Sequence, residues 1–436
     1  MMKMKKRVLL AAIFQFLLVL NSCSSDSGDN GTPTPEPPVV VKTAKITSYS
    51  KNAGETGETI SIYGENFSDK INDIAVTFDG VAVTVISAKA GEVTFKLPAT
   101  EKVLPKLIVT VGGKEAANEV KNNYEGNIGI LPARSLQNWV VQENSSKRDG
   151  ASSFIQMVND KALYMGGVLK TTDGGISWTQ WAEGSAFHAT VNDEGWSSTV
   201  GANKLNKVKV GGSTGTETFA NIENTTEAYY AMYVDANMKD GTVVTQKGRV
   251  FTTSNGVDFK KSYELGDNTA NLFQSTKIDN NHIWVIGYKS IKNKEGFAGD
   301  RPFILFKNNT TDGWKEYPFV NEDAGYFARE ISFVDNENGF LLINHYYQTL
   351  LDVKLFKTTN GGDSWTQVYD GEMFSKFTFK DANTGWAVLD NKIYKTTNGG
   401  TSWALDYTHD ENIGNISYKN NVVWAFSKNK IIKRYL

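Results

Sequence analysis

The sequence predicts an all-β protein, a small sandwich followed by a seven-bladed propeller, on three observations. Residues 43–124 alternate apolar and polar positions with period two between Gly and Asp-Gly turns. One turn string, Lys-Thr-Thr-Asn/Asp-Gly-Gly, recurs from residue 170 onward, and with its worn copies and traces it steps by about 40–58 residues, the size of one propeller blade. A bulky side chain stands at a matching place ahead of each copy.

The first residues precede this architecture. Lys3, Lys5, Lys6 and Arg7 lead into an apolar run from Val8 to Leu20 and then Asn21-Ser22-Cys23. A run this short is a secretory signal, because a membrane helix needs about 20 apolar residues. Cys23 is the single cysteine of the 436 residues. Leu20 at minus three and Ser22 at minus one make the segment resemble a bacterial lipoprotein lipobox, with Asn21 as a mild departure. The resemblance implies cleavage after residue 22, acylation of Cys23 and two lipid chains, enough for a durable anchor. The protein is then expected on the outer membrane, lipid-anchored and facing the cell surface, with a periplasmic orientation as the alternative.

A chain with one cysteine, at its lipidated end, has no internal disulfide and no thiol nucleophile. Loss of four basic residues with the leader takes the formal charge from −2 to −6. That excludes nucleic acid as the main partner, since nucleic acid calls for clustered basic residues. Residues 23–42, rich in Ser, Gly, Asp and Pro, read as a flexible tether.

In 43–124 the segments "TISIYG" (59–64), "IAVTFDGVAVTVI" (74–86), "EVTFKLP" (92–98) and "KLIVTVGG" (106–113) are half-buried antiparallel strands. The stretch "ETISIYGENFSD" with "IAVTFDGVAVTV" and "LIVTVGGKEA" resembles an IPT/TIG immunoglobulin-like domain. The resemblance implies a spacer or carrier for whatever follows. Residues 125–134 are expected to link it to the propeller.

The propeller spans 135–436. Good copies of the turn stand at 170–178, 357–365 and 395–403, with a worn copy at 251–259 and traces at 211–219 and 306–314. Asn or Asp can bond its own turn backbone, Gly-Gly tolerates positive φ, and the closing Trp buries a large ring. The string resembles the Asp-box, or BNR repeat, of sialidase-like propellers, where the box lies on the face away from the ligand. Asp173, Trp178, Asn360, Trp365, Asn398 and Trp403 are therefore expected to be structural. Tyr164, Trp196, Val243, Trp284, Phe340, Trp386 and Trp424 mark the second strands of seven units. "WAFSKNKIIK" (424–433) aligns on "WAVLDNKIYK" (386–395), and the chain ends before a fourth strand, so the 135–142 segment is expected to complete the last blade.

Function is expected on the opposite face. Long loops at 287–303 and 344–352, with 147–150 and 406–412, would gather Arg148, Tyr288, Arg301, His345, Tyr346, Tyr347, Tyr407 and His409 on one rim. Trp181 would join them, being the one Trp of ten without a structural post. Aromatic rings with a few polar groups suit a glycan or peptide.

No catalytic residue emerges. The mature chain carries only Arg134, Arg148, Arg249, Arg301, Arg329 and Arg434, and the Arg-Ile-Pro start of a sialidase is missing. No serine elbow, zinc motif or phosphate loop occurs, so neither metal nor cofactor is expected. "FTFKDANTGWAVLDNKIYKTTNGGTSW" resembles the photosystem II assembly-factor-like propellers, which implies a fold and no chemistry. A lipoprotein with a TIG spacer is similar to the surface glycan-binding proteins of polysaccharide-uptake systems. The expectation is a monomeric, non-catalytic glycan-binding protein. An envelope protein-interaction scaffold is the first alternative, and a glycoside hydrolase or lyase the second.

Overall fold

The computed structural model describes residues 42–436 except 136, 167, 183, 185, 199–204, 210–216, 219–221, 223–226, 267 and 348. The leader, Cys23 and nearly all of the tether lie outside the described residues, as does most of the 211–219 trace. Thr43–Leu436 form one compact unit. No helix among the described residues is long and apolar enough to cross a membrane.

The N-terminal part is a sandwich of two sheets, antiparallel except that Ala117–Asn118 pairs in parallel with Lys45–Tyr49. One has the spatial order Ala117–Asn118, Lys45–Tyr49, Thr59–Glu65, Glu92–Lys96, Val85–Lys89, and the other Val81–Val83, Ile74–Phe78, Leu107–Val111, Lys114–Glu115. The alternation works as the pattern demands: Ile60 and Ile62 point inward with Val76, Phe78, Val93, Phe95 and Val109, while Thr59 and Tyr63 stay outside. Gly64 is fixed by a close approach, because a Cβ there would stand 1.8 Å from the Lys45 carbonyl oxygen.

Seven four-stranded antiparallel sheets follow. Their first strands are Ile155–Met157, Ala186–Ala189, Tyr229–Val234, Ala270–Asp279, Tyr326–Phe333, Lys376–Phe379 and Ile413–Lys419. In the seventh sheet the fourth strand is Val140–Glu143, paired antiparallel with Lys430–Tyr435 in the register Val140 to Lys433 and Glu143 to Lys430. The first strands are laced to one another by side chains. Gln156 Oε1 accepts from the Ala189 N–H at 3.0 Å, His188 Nδ1 from Val234 N–H at 2.9 Å, and Thr378 Oγ1 from Tyr418 N–H at 3.1 Å. Asn415 Nδ2 of the seventh sheet reaches the carbonyls of Gly150, Ala151 and Ser153, just ahead of the first.

The repeated turn sits between third and fourth strands. In the 395–403 copy, Asn398 Oδ1 accepts from Ser402 N–H at 3.0 Å and from Thr396 Oγ1 at 2.9 Å, and Gly400 N–H donates to Thr396 Oγ1 at 3.0 Å. Gly399 and Gly400 hold φ of 71° and 88°, which a side chain would strain. Asp173 and Asn360 accept in the same way from Ser177 and Ser364 N–H, each at 3.0 Å. The Trp residues differ in depth: Trp365 is buried, whereas Trp178 and Trp403 are half-buried.

Between sheets, aromatic faces carry the packing. Phe333 stacks on Trp284 and Phe379 on Phe340, each with centroids 3.5 Å apart. Lysines of the third strands lie over their cross-strand rings, Lys357 over Phe340, Lys395 over Trp386 and Lys433 over Trp424, an electrostatic attraction to the ring face. Val243 does not hold the second-strand post expected for it. Register puts Thr242 there, opposite Tyr233, as Trp196 stands opposite His188. With threonine at that post, Lys277 occupies the place that Phe333 and Phe379 fill elsewhere, and donates to the Met232 carbonyl at 2.6 Å.

Residues 125–134 are more than a link. Gly129–Leu131 pairs in parallel with Ala53–Glu55 of the sandwich. Leu131 and Val103 pack on Ile176 beside the first repeated turn, and the Tyr124 hydroxyl donates to Asp173 at 3.1 Å. Burial, with the Asp173 carboxylate beside it, pushes the Tyr124 hydroxyl up to about 12. Arg134 spans Glu55 and Asp160, and Lys430 pairs with Glu101 at 2.8 Å. The sandwich is thus seated where the seventh and first sheets meet.

Candidate functional site

Strand direction divides the sheet ends into two faces. Turns joining first to second and third to fourth strands, including every copied turn, lie at one end, so second-to-third loops and crossings between sheets lie at the other. The first strands of the third, fourth and fifth sheets each carry a β-bulge toward that second end. The residues left unpaired are Tyr230, Phe273 and Arg329. A bulge bends the strand and re-aims the extra side chain, and bulges gather at rims and binding sites.

Arg329 is exposed, and its guanidinium is held over two rings, 5.9 Å from the Phe273 centroid and 5.8 Å from that of Tyr346. Tyr346 itself is 39% exposed. Beside them Tyr288 meets Phe327 edge-on at 5.1 Å and accepts from Asn271 Nδ2 at 2.5 Å. His345 stacks on Tyr326 at 4.2 Å, with Nδ1 3.8 Å from Asp352. The carboxylates nearby are already engaged: Glu330 by Lys376, Glu322 by Lys354, Asp352 by the Tyr326 hydroxyl.

Below this rim a cavity of about 570 Å³ runs along the first strands of the first four sheets and the seventh, as far as Val191, Ala236 and Lys419 at the copied-turn end. Phe273 and Tyr230 belong to its wall, as does Phe154, which is 57% exposed. Deeper, the wall carries His188, Tyr233, Thr276, Lys277 and Lys419, and no Asp or Glu contributes to it. His188 accepts a backbone N–H at Nδ1, which puts its own proton on Nε2. Burial, with Lys277 nearby, holds its pKa well below the usual imidazole range. Enclosure lowers Lys277 to about 7, although its side chain retains some exposure to the lumen.

Of the expected rim residues, Tyr288, His345 and Tyr346 gather at this site. Three others do not serve there. Trp181 is fully buried at 0% exposure, edge-on to Tyr164 at 4.8 Å and Phe187 at 5.9 Å, its Nε1 donating to the Asp193 carbonyl. Its structural post is the seam between the first two sheets. Arg301 is 2% exposed and spent on backbone, donating to the carbonyls of Glu322 (2.9 Å), Ile291 (2.6 Å) and Gly299 (3.1 Å). It pins the long hairpin His282–Lys292 and Ala298–Asn308. His409 is buried beside the Tyr407 hydroxyl, its Nδ1 3.3 Å away and its Nε2 without a hydrogen-bond partner. The side chain of Tyr347 lies outside the described residues. The bulge residues Tyr230, Phe273 and Arg329 were not anticipated. Among the described residues no group of three or more His, Cys, Asp or Glu is arranged to hold a metal ion.

The model of the IPT/TIG domain matches residues 44–125, so the sandwich is a TIG domain. No curated protein matches the chain. Among solved structures, YCF48 from Cyanidioschyzon merolae is similar at 14% identity and a TM-score of 0.48, over 68% of this chain and 98% of its own. An auxiliary nutrient binding protein from Bacteroides ovatus ATCC 8483 is similar at 11% identity and a TM-score of 0.39, over 92% and 99%. A second protein so described, from Bacteroides thetaiotaomicron VPI-5482, is similar at 14% and 0.35, over 90% and 97%. Similarity of this degree leaves function to be read from the site.

Proposed function

We propose that this chain is a lipid-anchored envelope protein whose seven sheets are the blades of one closed propeller, and that it binds a glycan without transforming it. The ligand sits at the mouth opposite the copied turns. The observation that carries this reading is the cluster at that mouth: three consecutive inner strands bulge there, and exposed or half-exposed rings from four sheets surround a cavity. Rings of this kind offer apolar faces to sugar C–H groups, while the hydroxyls and amides between them orient the ring. A cavity wall without carboxylates offers no acid–base pair of the kind glycoside hydrolysis requires. The copied turns, saturated by their own hydrogen bonds, serve the fold, and one of them seats the TIG domain.

A glycan array probed with Thr43–Leu436 tests the binding. A hit that survives incubation at its original length supports the reading. Shortened or unsaturated products would replace it with an enzyme, and an empty array beside a captured envelope protein would favour the scaffold. Anchoring is tested separately: Cys23→Ser should move the protein out of the membrane fraction, and continued need for detergent would sink the lipoprotein assignment.

A further inference from the structure

We propose that the saccharide bound at the mouth is acidic, carrying uronate carboxylates, and that Arg329 is the residue that reads them. This inference rests on the glycan reading above and goes further by fixing the charge of the ligand.

Arg329 is a cation set in place without an anion. Its chain position is the unpaired residue of a bulge, between Ala328 and Glu330. Its guanidinium spans the rings of Phe273 from the fourth sheet and Tyr346 from the fifth. Two ring faces within 6 Å of the guanidinium restrict a side chain that would otherwise sample many rotamers, so less freedom is lost when a ligand arrives. Neither contact is a hydrogen bond, so both leave the guanidinium N–H groups to an acceptor. No hydrogen bond or ion pair engages that edge among the described residues, whereas the neighbouring carboxylates Glu330, Glu322 and Asp352 are each taken by another group.

A planar fork of N–H donors is complementary to a carboxylate, which it binds through two parallel bonds. The surroundings do not oppose that charge. Phe273 continues from the clamp into the cavity wall, to which no Asp or Glu contributes. A neutral sugar would leave the guanidinium edge to water. An acidic one would meet it directly while its ring lies on the aromatic faces around it.

The test is a panel of hexauronates (galacturonate, glucuronate and mannuronate), each paired with its carboxyl-reduced neutral counterpart, titrated calorimetrically into Thr43–Leu436. At least one hexauronate should bind tenfold or more tighter than its reduced partner, and the difference should shrink as salt is raised. Arg329→Gln should abolish the preference, and Arg329→Lys should keep only part of it, because an ammonium lacks the fork. Arg329 is exposed, so both variants should melt with the parent. Equal binding of acid and reduced forms, or an unchanged preference in Arg329→Gln, overturns the inference while the glycan reading stands. Binding of a glutamate decapeptide with no saccharide bound overturns the glycan reading. Silence toward all of them overturns both.

Discussion

Trp181→Ala separates a core residue from a ligand-stacking one. The ring is fully buried, in contact with Tyr164 and Phe187, and its Nε1 donates to the Asp193 carbonyl at 3.3 Å. Truncating a buried Trp to Ala costs about 3–5 kcal/mol through lost transfer energy and the cavity left behind. The long indole hydrogen bond adds at most about 1 kcal/mol. In a unit of this size each kcal/mol is worth about 2 °C or somewhat less, so the melting temperature should fall by roughly 5–10 °C. Thermal unfolding followed by circular dichroism gives that number, and titration of the array ligand well below the transition gives the affinity, which should match the parent. A variant that melts with the parent and has lost the ligand would refute the burial argument and return Trp181 to the rim.

Further expectations concern other elements. Asn398→Ala, which deprives Ser402 N–H of its acceptor in an exposed turn, should cost about 0.5–2 kcal/mol by analogy with lost caps. Trp403→Ala should cost less than Trp365→Ala, because Trp403 is only half-buried, and chemical denaturation of the pair ranks them. Arg301→Met should cost about 2–3 kcal/mol by stripping three carbonyls of a charged donor, with ligand affinity unchanged. His188 has a folded pKa below its unfolded value, so the unfolded chain takes up a proton first. Stability should therefore fall as pH drops below about 6.5, and His188→Gln should flatten that slope in pH-dependent melts.

Much of the fold was legible because its signals are local and repeated. Period-two alternation in 43–124 yields strands that bury Ile60, Ile62 and Phe95, and the copied turn yields its own hydrogen bonds from Asn398, Asn360 and Asp173. Alignment of 424–433 on 386–395 pointed to a missing strand, and Val140–Glu143 lies against Lys430–Tyr435. The site was less legible. Loop length identified the side of the molecule where Tyr288, His345 and Tyr346 gather, but it cannot tell an exposed ring from a buried one, and so it misplaced Trp181 and Arg301. A bulge leaves no mark in the pattern, since one extra residue on one strand is visible only against its partner. Arg329 thus read as one arginine among six. The docking of 125–134 was hidden for a similar reason, because Gly129–Leu131 pairs with a strand more than 70 residues away.

The central claim, ligand at the mouth opposite the copied turns, is tested most directly by hydrogen exchange with and without the best array ligand. The account predicts slowed exchange in Tyr229–Val234, Ala270–Asp279, Tyr326–Phe333 and Gly339–Tyr347 around Tyr230, Phe273, Arg329 and Tyr346, with the turns at 171–178, 358–365 and 396–403 unchanged. Protection confined to those turns, or to the TIG domain at 44–125, would contradict it.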